Sequence, residues 1–167
     1  MRFLVIVVFM LLAACGPTTP KKPTGVAALT PESMVAQVRS AGLQGTDLTV
    51  APLRDPQVED LRATATQAEA RKDIVSAQAA IDLALKISVM DPDLLQWQAE
   101  LFLLKKNWVQ AESFAQSSYN KGPKLGALCR RNWKTLSFAR RAKNDVAGAQ
   151  RAEQQIVQCT VAPPPRY

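Results

Sequence analysis

Histidine does not occur in the 167 residues. Its absence removes the side chain that most often serves as general acid or base near neutral pH, and the commonest nitrogen ligand for metals. Glycine is scarce, with seven residues, and none sits in a phosphate-cradling loop or around a serine as in a nucleophile elbow. Three cysteines without histidine or clustered carboxylates do not make an ordinary zinc site. The nearest carboxylates in a loop, Asp91 and Asp93, flank Pro92 at a helix junction, where capping is the expected role. Past the N-terminal residues, no apolar run is long enough to span a bilayer. The chain reads as a non-enzyme with no metal and no cofactor.

What is present begins with MRFLVIVVFMLLAACGP. One basic residue, Arg2, precedes an apolar run from Phe3 to Leu12, then two alanines and Cys15. A run this short with a basic start reads as a secretory signal. Leu12-Ala13-Ala14-Cys15 resembles the lipobox of bacterial lipoproteins. That resemblance implies a signal peptide over 1–14, acylation (palmitate and its like) of Cys15, and, with Gly16 next, an outer-membrane anchor facing the periplasm. Stable anchoring by several acyl chains follows from such a modification. Residues 15–29, rich in proline with Lys21 and Lys22, read as an extended tether.

Thr30-Pro31-Glu32 carries the marks of a helix start: a hydroxyl N-cap and proline in the first turn. It predicts a short helix to about Ala41, closed by Gly42. An extended crossing is expected over 47–56, completing a 30–55 introductory region. From Asp55-Pro56 to Cys159 the chain is alanine-rich and glycine-poor, with apolar residues three and four apart, which predicts helix throughout. Asp73-Ile74-x-x-Ala77, Asn107-Trp108-x-x-Ala111 and Asp145-Val146-x-x-Ala149 recur at intervals of 34 and then 38 residues. Leu61, Leu95 and Trp133 stand sixteen before those alanines, and Leu136 and Ser137 follow Trp133 in the same pattern. This spacing resembles the tetratricopeptide (TPR) repeat. The resemblance implies an all-α array of about three antiparallel helix hairpins over 56–159, with Leu61, Ala77, Leu95, Trp108, Ala111, Trp133, Leu136 and Ala149 as its packing positions. Thr64 and Gln98 depart from it where leucine is preferred. A proline-rich tail, 160–167, completes the chain.

Charge is distributed unevenly. Residues 15–123 carry 11 basic and 12 acidic side chains, whereas 124–167 carry 9 and 2. In the last unit Arg131, Lys134, Phe138 and Arg141 are spaced three and four apart, with Arg130 at the rim. In TPR arrays the corresponding face lines a concave groove, so the resemblance implies a cationic binding groove for an acidic peptide or protein. Solvated charge on a terminal repeat accounts for the same residues equally well. Nucleic acid is not the expected partner of an exported protein, although basicity alone would allow it. Cys129 and Cys159 lie near opposite ends of an antiparallel helix pair, which brings them together and predicts a disulfide in an oxidising compartment.

The segments LRDPQVEDL and CRRNW…QCTVAPPPRY resemble the LpoP-type activators, outer-membrane TPR lipoproteins that act on class A penicillin-binding proteins. The resemblance implies an adaptor in peptidoglycan synthesis. Two other readings stand beside it: a structural lipoprotein whose basic end contacts anionic cell-wall polymer or lipid, and a pilotin or secretion assembly factor.

Overall fold

A computed structural model describes residues 29–45 and 53–160. Among them are seven helices and no strand: α1 (Pro31–Leu43), α2 (Pro56–Ala70), α3 (Ile74–Ile87), α4 (Pro92–Leu104), α5 (Trp108–Lys121), α6 (Gly126–Ala142) and α7 (Val146–Gln158). Cys15 with the signal and tether readings, most of the extended crossing, and the C-terminal tail lie outside the described residues.

The fold is an all-α, TPR-like array in which α2/α3, α4/α5 and α6/α7 are hairpins stacked in sequence order. Each hairpin turns in the same way. A residue in the left-handed conformation, Lys72, Lys106 or Asn144, follows the first helix with φ of 61°, 57° or 65°. The amide of the next residue reaches back five positions, Asp73 to Ala68, Asn107 to Phe102 and Asp145 to Arg140, each at 2.9 Å. This is the Schellman closure, which satisfies carbonyls at the helix end. The same Asp73, Asn107 or Asp145 then accepts from the amide three residues on and starts the second helix. Three residues thus end one helix and begin the next.

Alanine sets how closely the helices approach. Ala77, Ala111 and Ala149 are fully buried, as are Ala65, Ala68, Ala99, Ala115 and Ala152. Leu95 and Leu136 are buried; Leu61, Trp108 and Trp133 are half-buried, Trp133 against the Tyr119 ring at 4.8 Å. The TPR departures are each hydrogen-bonded, although Gln98 Oε1 is buried without a partner among the described residues. Thr64 is exposed and donates to Asp60 O at 2.9 Å, while buried Gln98 donates to Asp82 across α3.

The 38-residue interval has a local cause. Helix α6 has 17 residues against 13 in α4, and the linkers before them are equal in length. The added residues, 126–129, amount to about one helical turn. That turn carries Cys129, whose Cα lies 5.6 Å from that of Cys159, and the two sulfurs are bonded. Gly126 N also donates to Cys159 O at 2.7 Å.

Two expectations need correction. Helix α1 runs past Gly42 to Leu43, because its terminal carbonyls are taken by an arginine, described below, and not by a left-handed glycine. Asp93 does more than stand beside a cap: Asp91 alone caps α4, accepting from the amides of Asp93 and Leu94.

Because the disulfide closes a 30-residue separation, its removal in Cys129→Ala/Cys159→Ala should cost about 3.5 kcal/mol in the chain-entropy view. Chemical denaturation should record that loss with helicity retained in native buffer, and thiol labelling of the unreduced protein should find neither cysteine free.

Candidate functional site

The inner surface of a hairpin stack is formed by its first helices, here α2, α4 and α6. Helix α1 lies on it, against α4 and α6. Val35 and Val38 are buried with Leu103 of α4 and with Phe138 and Ala139 of α6. A 13-residue helix is marginal in isolation, so its stability comes from this apolar face and from its ends. At the N-terminus Thr30 Oγ1 accepts from Ser33 N at 3.2 Å. At the C-terminus the buried Arg130 donates through Nε to Ala41 O (3.0 Å) and through Nη2 to Gly42 O (3.3 Å). A cation there also matches the negative end of the helix dipole. Gly42 leaves room for the neighbouring Arg131: a methyl group in its place would stand 2.9 Å from Arg131 Cδ.

Beneath α1 a polar cluster crosses the surface. Glu100 has no solvent exposure. Its Oε1 accepts from Arg131 Nη2 at 2.6 Å and Nε at 3.0 Å, and its Oε2 accepts from Arg39 Nε at 2.8 Å. Gln96 donates to Glu100 Oε1 (3.0 Å) and to Thr135 Oγ1 (2.8 Å). Asp93 is the second hub, paired with Arg62 (2.9 Å), Arg54 (3.3 Å) and Arg131 (3.3 Å). Arg39 continues to Glu69 at 2.8 Å, and Glu69 also accepts from Trp97 Nε1. Burial works against the Arg131 charge, but Glu100 and Asp93 outweigh it and raise its pKa. Charges from α1, α2, α4 and α6 therefore hold one another in place.

The residues expected to line an open groove are brought together, but under α1. Arg130 is 2% exposed and sits not at a rim but beneath the end of α1. Phe138 is also 2% exposed, with Lys134 Nζ 4.9 Å above its ring. Arg131 is committed to Glu100 and Asp93. Lys134 pairs with Glu153 of α7 at 2.9 Å, and Arg141 is exposed at the last turn of α6. Arg140 and Lys143 both engage Glu112 of α5. Much of the positive excess of the last unit therefore answers acidic side chains of the units before it. Arg39 and Glu100 were not singled out in the sequence, and Asp93 was read only as a capping residue; the odd acid at an inward helical position was the available signal for Glu100.

Helix α1 leaves a cleft on each side. One, about 530 Å³, is lined by Glu32, Val35, Arg39, Glu69, Lys72 and Leu104 among others. The other, about 230 Å³, is lined by Gln37, Ser40, Gln44, Lys134, Glu153 and Ile156 with Ala41. Among the described residues no group of three or more histidine, cysteine or acidic side chains is arranged to hold a metal ion.

Among solved structures, the globular C-terminal domain of LpoP from P. aeruginosa superposes with a TM-score of 0.58 at 29% identity, across 63% of this chain and 99% of that domain. The helical array shares its fold with LpoP. No family model and no curated protein matches the chain. The likeness to LpoP spans essentially the whole of that solved domain, so it concerns the architecture and not a single hairpin.

Removing one partner from a buried pair leaves an uncompensated charge, at about 3 kcal/mol or more. Arg131→Met should destabilise by that order, and Arg131→Met/Glu100→Met should recover most of it; urea denaturation of the two variants checks this. Partial burial pushes the Glu112 and Glu153 carboxyls up, but their hydrogen bonds to Lys143 and Arg140, and to Ser137 and Lys134, outweigh it and hold both below the usual 4.5. A depressed carboxyl contributes its full stability above the unfolded value and loses it as pH falls through the folded one. The packing of α6 on α5 and α7 should therefore loosen below about pH 4.5, with α6 and α7 amides losing hydrogen-exchange protection before those of α2.

Proposed function

We propose that this protein is a lipid-anchored, periplasm-facing TPR adaptor that binds a protein of cell-envelope assembly and activates a peptidoglycan synthase of the class A penicillin-binding type. The observation that carries the reading is the fold shared with LpoP over 99% of its C-terminal domain at 29% identity. The N-terminal sequence supports the anchor, since Leu12-Ala13-Ala14-Cys15 closes the apolar run where a lipobox would. No helix among the described residues is long and apolar enough to cross a membrane, which agrees with attachment through lipid.

With α1 on the inner surface, the partner meets a surface made jointly by α1 and the last hairpin. Of the basic residues of α6, Lys134 is the one that lines either of the two clefts, beside Gln37, Ser40 and Gln44 of α1. Such a mixed polar lining suits a partner segment offering carboxylates and backbone carbonyls. Arg130, Arg131 and Phe138 serve binding indirectly, by seating α1. The role is one of binding and not of catalysis.

Two measurements test this. Cys15→Ala should abolish incorporation of labelled palmitate and release the protein from the membrane fraction. The purified mature chain should raise glycan polymerisation by the class A synthase of the same cell severalfold, and Lys134→Glu with Gln37→Glu should remove that stimulation while leaving helicity intact. An unchanged rate with the unmodified chain overturns the synthase assignment.

A further inference from the structure

The three hairpin turns form one edge of the array, and their composition is not what turn geometry favours. At Lys72 and Lys106 the backbone is left-handed, a conformation in which glycine or asparagine costs less than a long side chain. Asn144 occupies that place in the third turn. Two of three turns thus hold a lysine where the backbone disfavours it, and each is preceded by a further cation, Arg71 and Lys105. All four are exposed, and Arg71, Lys72 and Lys106 make no salt bridge among the described residues. Lys105 donates only to the neutral Gln78. Just beyond the turns, Val75, Val109 and Val146 are 72, 62 and 58% exposed, one in the first turn of each second helix. The nearby acids are largely committed: Asp73 and Asp145 cap helices, and Glu112 is paired. Two are exceptions: Glu32, exposed at the start of α1 near Lys72 and Lys106, and Asp82 of α3, near Lys105 and hydrogen-bonded to the neutral Gln98.

Glu32 also fixes where the chain enters. It lines the same cleft as Lys72, Ile74 and Leu104, so α1 begins at the turn edge and its other end lies under Arg130. Thirteen residues separate Cys15 from Leu29, two of them lysines. Fully extended, they reach about 50 Å at most. The chain outside the described region thus arrives at the edge that carries the unpaired cations and the exposed valines.

We propose that this turn edge is a membrane-surface contact: Arg71, Lys72, Lys105 and Lys106 meet anionic phospholipid headgroups while Val75, Val109 and Val146 enter the interface. The inference rests on the lipid-anchored reading and adds an orientation to it. With the turns down, the opposite edge, which carries the disulfide and the exposed Val89, Met90 and Leu125, faces away from the bilayer. Basic side chains at an anionic surface contribute about 1 kcal/mol each, and exposed apolar side chains add to them. Protein or cell-wall ligands are less well matched, because the cations are spread over two turns and, of the four, only Lys72 lines either of the two clefts.

The test uses the mature chain without acyl groups, so that it is independent of whether Cys15 is modified in cells. Co-sedimentation with phosphatidylglycerol/phosphatidylethanolamine vesicles should be clear at low salt, absent with phosphatidylcholine alone, and lost as salt rises. Lys72→Asn/Lys106→Asn, which installs the residue of the third turn, should lower vesicle affinity about thirty-fold without lowering the thermal midpoint. Lys86→Gln/Lys121→Gln removes the same charge from the ends of α3 and α5 at the opposite edge and should leave affinity unchanged. Equal losses in both variants, no loss in the first, or binding to purified peptidoglycan in place of vesicles each overturns the proposal. Failure of palmitate labelling at Cys15 would count against the anchor and leave the vesicle result to be read by itself.

Discussion

A single buried carboxylate organises this molecule. Glu100 has no exposure to solvent, and an isolated ionised carboxyl in such a place would cost many kilocalories per mole. It is tolerated because Arg131 approaches one oxygen from α6 and Arg39 the other from α1. That requirement couples three elements far apart in sequence. The third hairpin must close onto the second, and α1 must lie across both, or the charge is left uncompensated. Buried ion pairs are weak sources of net stability compared with apolar packing, yet breaking one is expensive. Glu100 therefore does less to stabilise the fold than to define which arrangement of α1 on the array is acceptable.

The same requirement explains why the groove of this array is not open. Its centre is occupied by a helix of the same chain, held by Val35 and Val38 along its length and by Arg130 at its end. Any partner binds to what α1 leaves uncovered or to what α1 itself displays. Removing α1 would not simply expose a ready cationic surface: it would also expose Phe138 and deprive Glu100 of Arg39. The inner helices and α1 thus form one unit, and substitutions at Arg131 read folding before they read binding.

The repeat architecture was legible because each hairpin turn is encoded locally. An N-cap residue, Asp73, Asn107 or Asp145, followed four positions later by a buried alanine, needs no tertiary information to be seen. The disulfide was legible for a related reason, since hairpin geometry places Cys129 and Cys159 side by side. The basic face of α6 was visible as a periodicity, but its meaning was not. Spacing shows that Arg131 and Phe138 share a face; it does not show what lies against that face, because α1 is connected to the array through residues whose pattern carries no docking signal. The charge imbalance misled in the same way. An excess of cations in one segment looks like an offer to an external anion, and here Asp93, Glu100 and Glu112 of the preceding hairpin accept much of it. Composition counts charges; only the fold decides which are already paired.

That distinction separates the two basic regions of the molecule. The cations of α6 are abundant in sequence and mostly engaged in space. Those of the hairpin turns are fewer and draw no attention as a run, since 34 residues divide Lys72 from Lys106. Stacking brings them onto one edge, and there they form no salt bridge among the described residues, with Glu32 and Asp82 nearby. A turn that needs a left-handed residue has cheap solutions in glycine and asparagine, and the third turn uses one of them. Lysine in the other two is a small local cost for which the interior of the protein offers no return. The compensation has to come from outside the domain, on the side where the chain enters from its N-terminal tether.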